Sequence, residues 1–213
     1  MQHVMQQNEI RNSGWMMPAE WVRHAATWMV WPHNTALWES GWGVTLPRVQ
    51  EDFARVANAI ARFEPVKLVV DPSAIASAKA LCGPNIELIE LAVNDSWCRD
   101  SGPSFVCHPQ HGLAGVSWRF NAWGGKSAHD LDESLARRAL NHLGLECFGT
   151  ALSNEGGAIH VDGEGTLLAT EECLLSDVQA RNPDLGRDGT ERALRDHLGV
   201  SHDGDDRDDG DRG

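Results

Sequence analysis

RVQEDFARVANAIARFEPVKLVVDP, from Arg48 to Pro72, decides the fold class. Val49, Phe53, Val56, Ala57 and Ile60 recur at helical spacing up to Phe63, with Thr45 and Pro47 at the start. Directly after it, Val66–Val70 is a β-branched run closed by Asp71-Pro72, the pattern of a buried strand. Further along, Ile86–Leu91 is a second such stretch, entered from Gly83-Pro84, and a strand pair is expected around Ser104–Cys107 and Leu113–Trp118. Asp130 and Glu133 suggest a capping box opening a helix whose apolar face is Leu131, Leu135, Ala139, Leu140 and Leu143 and whose end is Gly144. Thr166–Ala169 reads as a strand, and Thr190–Leu198 as a helix stopped by Gly199. Helices alternating with short apolar strands make this an α/β protein. One more strand is expected after Gly199-Val200, where an acidic run begins instead.

The 213 residues, 41% hydrophobic and 23% charged, suit one globular domain or two small ones. A formal charge of -13 repels phosphate backbones, so nucleic acid is not an expected partner and a small cation is. No apolar run approaches the ~18 residues that span a bilayer, and Met1–Ile10 lacks the apolar core of a signal peptide, which places the chain in the cytoplasm with no membrane partner. From Ser201 to Gly213 there are six Asp, two Arg, three Gly and no apolar residue, so residues 1–200 are expected as the folded part and 201–213 as a disordered acidic tail. Cys82, Cys98, Cys107, Cys147 and Cys173 are odd in number without a C-x-x-C pair, which points to free thiols. Six of the nine Trp precede residue 43 and are expected to fill a core.

Three polar clusters could carry chemistry: WCRDSGP (97–103), FNAWGGK (120–126) and EGGAIHVDGEGTLLATEECLL (155–175). Asp100 lies where a strand gives way to a turn, so its carboxylate either caps that turn, with Arg99 a surface partner, or points into a pocket. His160 and Asp162, two apart, would share one face of a strand, and Glu155-Gly156-Gly157 upstream permits close backbone approach. The plainer alternative makes Asp162-Gly163 a hairpin turn and His160 merely half-buried. Gly124-Gly125-Lys126 is too short for a phosphate loop, and Cys107, His108 and His111 sit in a polar turn without a fourth metal ligand.

The three clusters in this order resemble the agmatine deiminase family, also called the Porphyromonas-type peptidylarginine deiminase family. The likeness starts at Met17-Pro18-Ala19-Glu20-Trp21, passes through Thr27-Trp28-Met29-Val30-Trp31-Pro32, and continues to Arg181-Asn182-Pro183 and Leu198-Gly199-Val200. It implies a pentein-type α/β propeller of five ββαβ blades, here partial. It implies a hydrolase converting agmatine and water to N-carbamoylputrescine and ammonia on the route to putrescine, with no metal or organic cofactor. Carried over residue by residue, it makes Asp100 and Asp162 guanidinium-binding carboxylates, His160 the general acid/base, and Trp97 and Glu155 supporting substrate-binding residues. Two carboxylates suit a guanidinium, which is planar, permanently charged and presents its N–H groups as a fork.

The family's nucleophilic cysteine lies in a glycine-rich segment near its C-terminus, and no such motif occurs in this chain. Cys98, on an extended segment, would crowd Asp100, and Glu171-Glu172 would raise the Cys173 thiol. The chain is therefore expected to be truncated and catalytically impaired, with an unclosed sheet edge that favours association as a homo-oligomer. The alternatives are a peptidylarginine deiminase-type activity, a non-catalytic guanidine-binding or interaction module, and a metal-dependent hydrolase for which His160 and Asp162 supply only two ligands.

Overall fold

A computed structural model describes residue 10 and residues 13–203, which form three three-stranded sheets joined by helices. In the first, β1 (Thr27–Val30), β2 (Val66–Val70) and β3 (Ile86–Glu90) are all parallel in that order, with Thr27 opposite Val66 and Val66 opposite Ile86. α1 (Leu46–Ile60) and α2 (Ile75–Leu81) make the crossovers. Apart from Lys67, which pairs with Glu87, β2 is apolar, as burial on both faces requires. Leu68 and Val70 pack with Trp31, Ala54, Ala57 and Ala78 on one side, and Val69 packs with Val30, Val93 and Leu135 on the other.

The other two sheets share a plan. β4 (Ser104–His108) and β5 (Gly112–Arg119) form an antiparallel pair, α5 (Leu135–Leu143) follows, and β6 (Glu146–Ser153) returns parallel to β5. Gly115 on β5 allows α5 to seat, because a Cβ there would stand 2.6 Å from Leu140 Cδ2. β7 (Ile159–Val161) and β8 (Thr166–Ala169) repeat the antiparallel pair, α6 (Glu171–Leu174) and α7 (Gly186–Leu198) follow, and β9 (His202–Asp203) is parallel to β8. These are two ββαβ units, as expected; the first sheet, with three parallel strands and two crossover helices, departs from that plan. β9 is the strand expected after Gly199-Val200, so residues 202 and 203 of the expected tail belong to a sheet, while 204–213 lie outside the described residues.

The segment before β1 laces the second and third units together. Met16 exchanges backbone hydrogen bonds with Cys107, and Met17 N–H donates to Leu198 O at 2.9 Å. Trp15 and Met17 join Val106, Val116, Phe148, Leu152, Ile159, Val161, Leu194 and Leu198 in one core. Gly199 adopts φ +67° where α7 ends, and a Cβ there would fall 2.1 Å from Trp15 O, so both the turn and the close approach require glycine.

Two expectations change. Asp130 and Glu133 do not cap α5, which begins at Leu135 after a 3₁₀ turn at Asp132–Ser134 and has no side-chain cap. Buried Asp132 instead accepts the N–H groups of Asn94 and Asp95, while Asn94 Oδ1 accepts those of Leu131 and Asp132. That reciprocal clamp ties the start of α5 to the loop before Trp97, and burial pushes the Asp132 carboxyl up to about 6. The tryptophans also divide: Trp15, Trp31 and Trp118 fill cores, whereas Trp21, Trp42 and Trp97 are exposed by 70%, 60% and 40%.

Candidate active site

Asp100 lies on α3 (Cys98–Ser101), a single helical turn after Trp97 in which the N–H groups of Asp100 and Ser101 bond to Trp97 O. Both oxygens of its carboxylate are fixed from outside that turn. Trp123 Nε1–H donates to Oδ2 at 3.1 Å, and the backbone N–H of Gly157 donates to Oδ1 at 3.1 Å. The carboxylate therefore does not cap its own turn but is oriented by residues 23 and 57 positions away.

Unusual backbone brings Trp123 there. Ala122, Trp123, Gly124 and Gly125 all have positive φ, at 51°, 57°, 90° and 83°, forming the left-handed turn α4 (Ala122–Gly125). Asn121 Oδ1 accepts from Gly124 N–H at 2.9 Å, and Gly125 and Lys126 N–H bond back to Asn121 O and Ala122 O. For residues with a Cβ this conformation is disfavoured by roughly 1–3 kcal/mol each, and such strain concentrates at functional sites. Here it aims an indole N–H at a carboxylate. Phe120 packs edge-on against Trp123 at 5.3 Å between centroids, and Trp97 at 6.4 Å.

The Glu155-Gly156-Gly157 loop closes the other side. A Cβ on Gly156 would meet Arg99 O at 2.2 Å, so that position needs glycine for close approach, and one on Gly157 would meet Asp100 Oδ1 at 2.6 Å and displace the carboxylate. Arg99 is not only a surface partner: Nε donates to Gly156 O at 3.0 Å, Nη2 donates to Ile159 O at 3.3 Å, and it pairs with Glu20. Glu155 is buried in an ion pair with Arg181 at 2.6 Å, both side chains almost fully enclosed. Arg181 Nη1 also donates to Gln179 O, and it lies 3.6 Å from where a Gly124 Cβ would be.

His160 and Asp162 are placed differently. His160 is half-exposed, with Nδ1 3.6 Å from Glu20 Oε1 and its ring beside Trp21 at 6.1 Å. Asp162 follows β7, and its Oδ1 accepts the N–H groups of Glu164 at 2.7 Å and Thr166 at 3.0 Å. That is the turn-capping arrangement, and its bonds hold the Asp162 carboxyl below the usual range. Among the described residues no hydrogen bond or ion pair joins either side chain to Asp100. A cleft of about 420 Å³ opens nearby between Glu20, His24, Thr27, Arg99 and Gly156, but Asp100 and His160 do not line it.

Cys98 departs from expectation for a geometric reason. In a helical turn, residues two apart point in widely different directions, so Cys98 packs against the Val30, Val69, Val93 and Leu135 cluster rather than beside the carboxylate. Burial, aided by the Asp100 charge, pushes its thiol up to about 12. Burial also raises the thiols of Cys82, Cys107 and Cys147. Among the described residues no three His, Cys, Asp or Glu side chains are grouped to hold a metal, and no helix is long and apolar enough to cross a membrane.

This arrangement coincides with a clear relationship. The agmatine deiminase of Stutzerimonas stutzeri is 45% identical over 197 residues, 89% of this chain and 52% of its own length. That of Pseudomonas fluorescens is 43% identical over 197 residues, again 89% and 52%. The solved agmatine deiminase of Enterococcus faecalis superposes with a TM-score of 0.86 at 35% identity, across 95% of this chain and 55% of that one. The chain spans about half the length of the curated relatives it matches. The model of the family described as Porphyromonas-type peptidyl-arginine deiminase matches residues 16–203, from the lacing segment before β1 to the last described strand, and the chain belongs to that family.

Proposed function

We propose that residues 1–200 form the guanidinium-recognition part of an agmatine deiminase-type hydrolase, a cytoplasmic enzyme of the putrescine route with a five-bladed propeller. The observation that carries this reading is the Asp100 carboxylate, oriented by the Trp123 indole and the Gly157 amide next to the Trp97 ring. A carboxylate held in this way meets the N–H fork of a guanidinium without reorganising. In the reaction a thiolate adds to the central guanidinium carbon, His160 protonates the departing amine so that ammonia leaves, and a water that His160 then deprotonates hydrolyses the S-alkylthiouronium, releasing N-carbamoylputrescine and restoring the thiolate. None of residues 10–203 is proposed as that nucleophile.

Glu155 has one oxygen on Arg181 and supports the loop that holds Asp100. We keep His160 as the general acid/base and Asp162 as a second guanidinium-binding carboxylate; neither side chain bonds to Asp100, and Oδ1 of Asp162 also holds its own turn. A second reading, guanidine binding without turnover or a homo-oligomeric interaction module, is favoured by the packing of Cys98, the cysteine nearest Asp100 in sequence, into the Val30, Val69, Val93 and Leu135 cluster.

Calorimetry of the 213-residue chain with agmatine tests the reading. Saturable heat is expected, weakened on the order of a hundredfold by Asp100→Asn, which exchanges a charged acceptor for a neutral amide. Equal affinity for both proteins contradicts it.

A further inference from the structure

Asp100 stands at the inner end of a row of aromatic rings that the recognition of a guanidinium alone does not require. Trp123 touches Trp97 at 6.4 Å between centroids, Trp97 touches Trp42 at 6.2 Å, and Trp42 touches Trp38 at 6.4 Å. Trp38 packs edge-on against Phe53 of α1 at 6.0 Å, which anchors the row to a core helix. Yet Trp42 stays 60% exposed and Trp97 40%, and so large an aromatic surface facing water is unfavourable unless something lies on it. No Lys or Arg of the described chain stacks on these two rings; the cation–π pairs present involve Phe63 and Trp28.

We infer that Trp42 and Trp97 form the outer wall of the ligand site, and that Trp42 selects guanidines carried on an aliphatic stem with a distal ammonium group. The inference rests on Asp100 being the guanidinium site. With the guanidinium on Asp100, the stem runs over Trp97, and the ammonium reaches the face of Trp42, where a ring quadrupole attracts a cation within about 6 Å. A carboxylate or peptide group at the same distal point gains nothing from the ring, so the row discriminates by charge at the far end of the ligand.

Agmatine and butylguanidine share the guanidinium and the four-carbon stem and differ only in the terminal amine, so calorimetry of the 213-residue chain with both isolates the feature. The wild-type chain is expected to bind agmatine about five- to tenfold more tightly than butylguanidine. Trp42→Ala is expected to remove most of that ratio, and Trp42→Phe to keep part of it, since Phe retains a ring of weaker quadrupole. An unchanged ratio in Trp42→Ala overturns the inference and leaves the Asp100 site standing, provided Asp100→Asn abolishes butylguanidine binding. Butylguanidine binding that survives Asp100→Asn, or no binding of either ligand to the wild-type chain, overturns the Asp100 reading and this inference with it.

Discussion

Replacing Gly157 and Gly156 in turn by Ala separates the role of the loop in folding from its role at the carboxylate. At Gly157 the new methyl would stand 2.6 Å from Asp100 Oδ1, the end of a side chain that can rotate away. To regain van der Waals distance the oxygen must withdraw by several tenths of an ångström, which stretches or breaks its 3.1 Å bond from the Gly157 amide and pulls Oδ2 from Trp123. A hydrogen bond to a charged group contributes about 1.5–3 kcal/mol, so guanidine affinity should fall roughly ten- to a hundredfold while stability changes by less than about 1 kcal/mol. At Gly156 the methyl would lie 2.2 Å from Arg99 O, a backbone atom that cannot rotate away. Relief there requires the loop and α3 to separate, a strain of at least about 1–3 kcal/mol that appears in stability first. Urea unfolding and agmatine calorimetry on both variants read the two effects. A Gly157→Ala protein that binds agmatine as the wild type does refutes the placement of Asp100 at the centre of the site.

Four further outcomes follow from the same geometry. Trp123→Phe keeps the packing on Phe120 and Trp97 but removes the indole donor, and should weaken agmatine binding by about tenfold in calorimetry with little change in the urea midpoint. Arg181→Ala strands buried Glu155 and should cost about 3–5 kcal/mol by urea unfolding, whereas the double variant with Glu155→Leu should recover much of that loss. Asp162→Asn should reduce stability most above the folded-state value of its carboxyl; because that value is lowered, the wild-type advantage is present above the unfolded value and disappears as pH falls through the folded one, which melting temperatures across pH 2–7 can follow. His24 is raised by Glu20 O and by Glu64, so its contribution is present below the ordinary histidine value and lost as pH rises through the folded one; the melting difference between wild type and His24→Asn should shrink accordingly.

The elements visible in the sequence were those whose pattern is local. The apolar period of α1, the largely apolar run of β2 and the glycine ends of α5 and α7 each lie within a few residues of their cause. β1 was hidden because TWMV lies in a tryptophan-rich stretch without alternation, and α2 because seven residues carry too little period to stand out. The capping box failed for a nonlocal reason: Asp132 is drawn to the Asn94 and Asp95 amides 37 to 38 residues away. Asp100 was legible as a carboxylate just before Ser-Gly-Pro, although the strand end expected there is absent: β3 stops at Glu90 and Asp100 lies on the helical turn α3. Its orientation was not, because Trp123 reaches it only through left-handed backbone at Ala122 and Trp123, which no residue type there announces. The Asp162-Gly163 turn is legible in the sequence as a strong hairpin signal, and Oδ1 of Asp162 holds it.

The most direct measurement is the indole N–H resonance of Trp123 in a 15N-labelled 213-residue chain, assigned by its disappearance in Trp123→Phe and followed as agmatine is added. Because that proton is bonded to Asp100 Oδ2, a guanidinium arriving on the carboxylate should move the peak saturably, and Asp100→Ala should abolish the movement. A Trp123 peak that stays still while agmatine binds, or that moves equally in Asp100→Ala, would contradict the assignment of Asp100 as the guanidinium site.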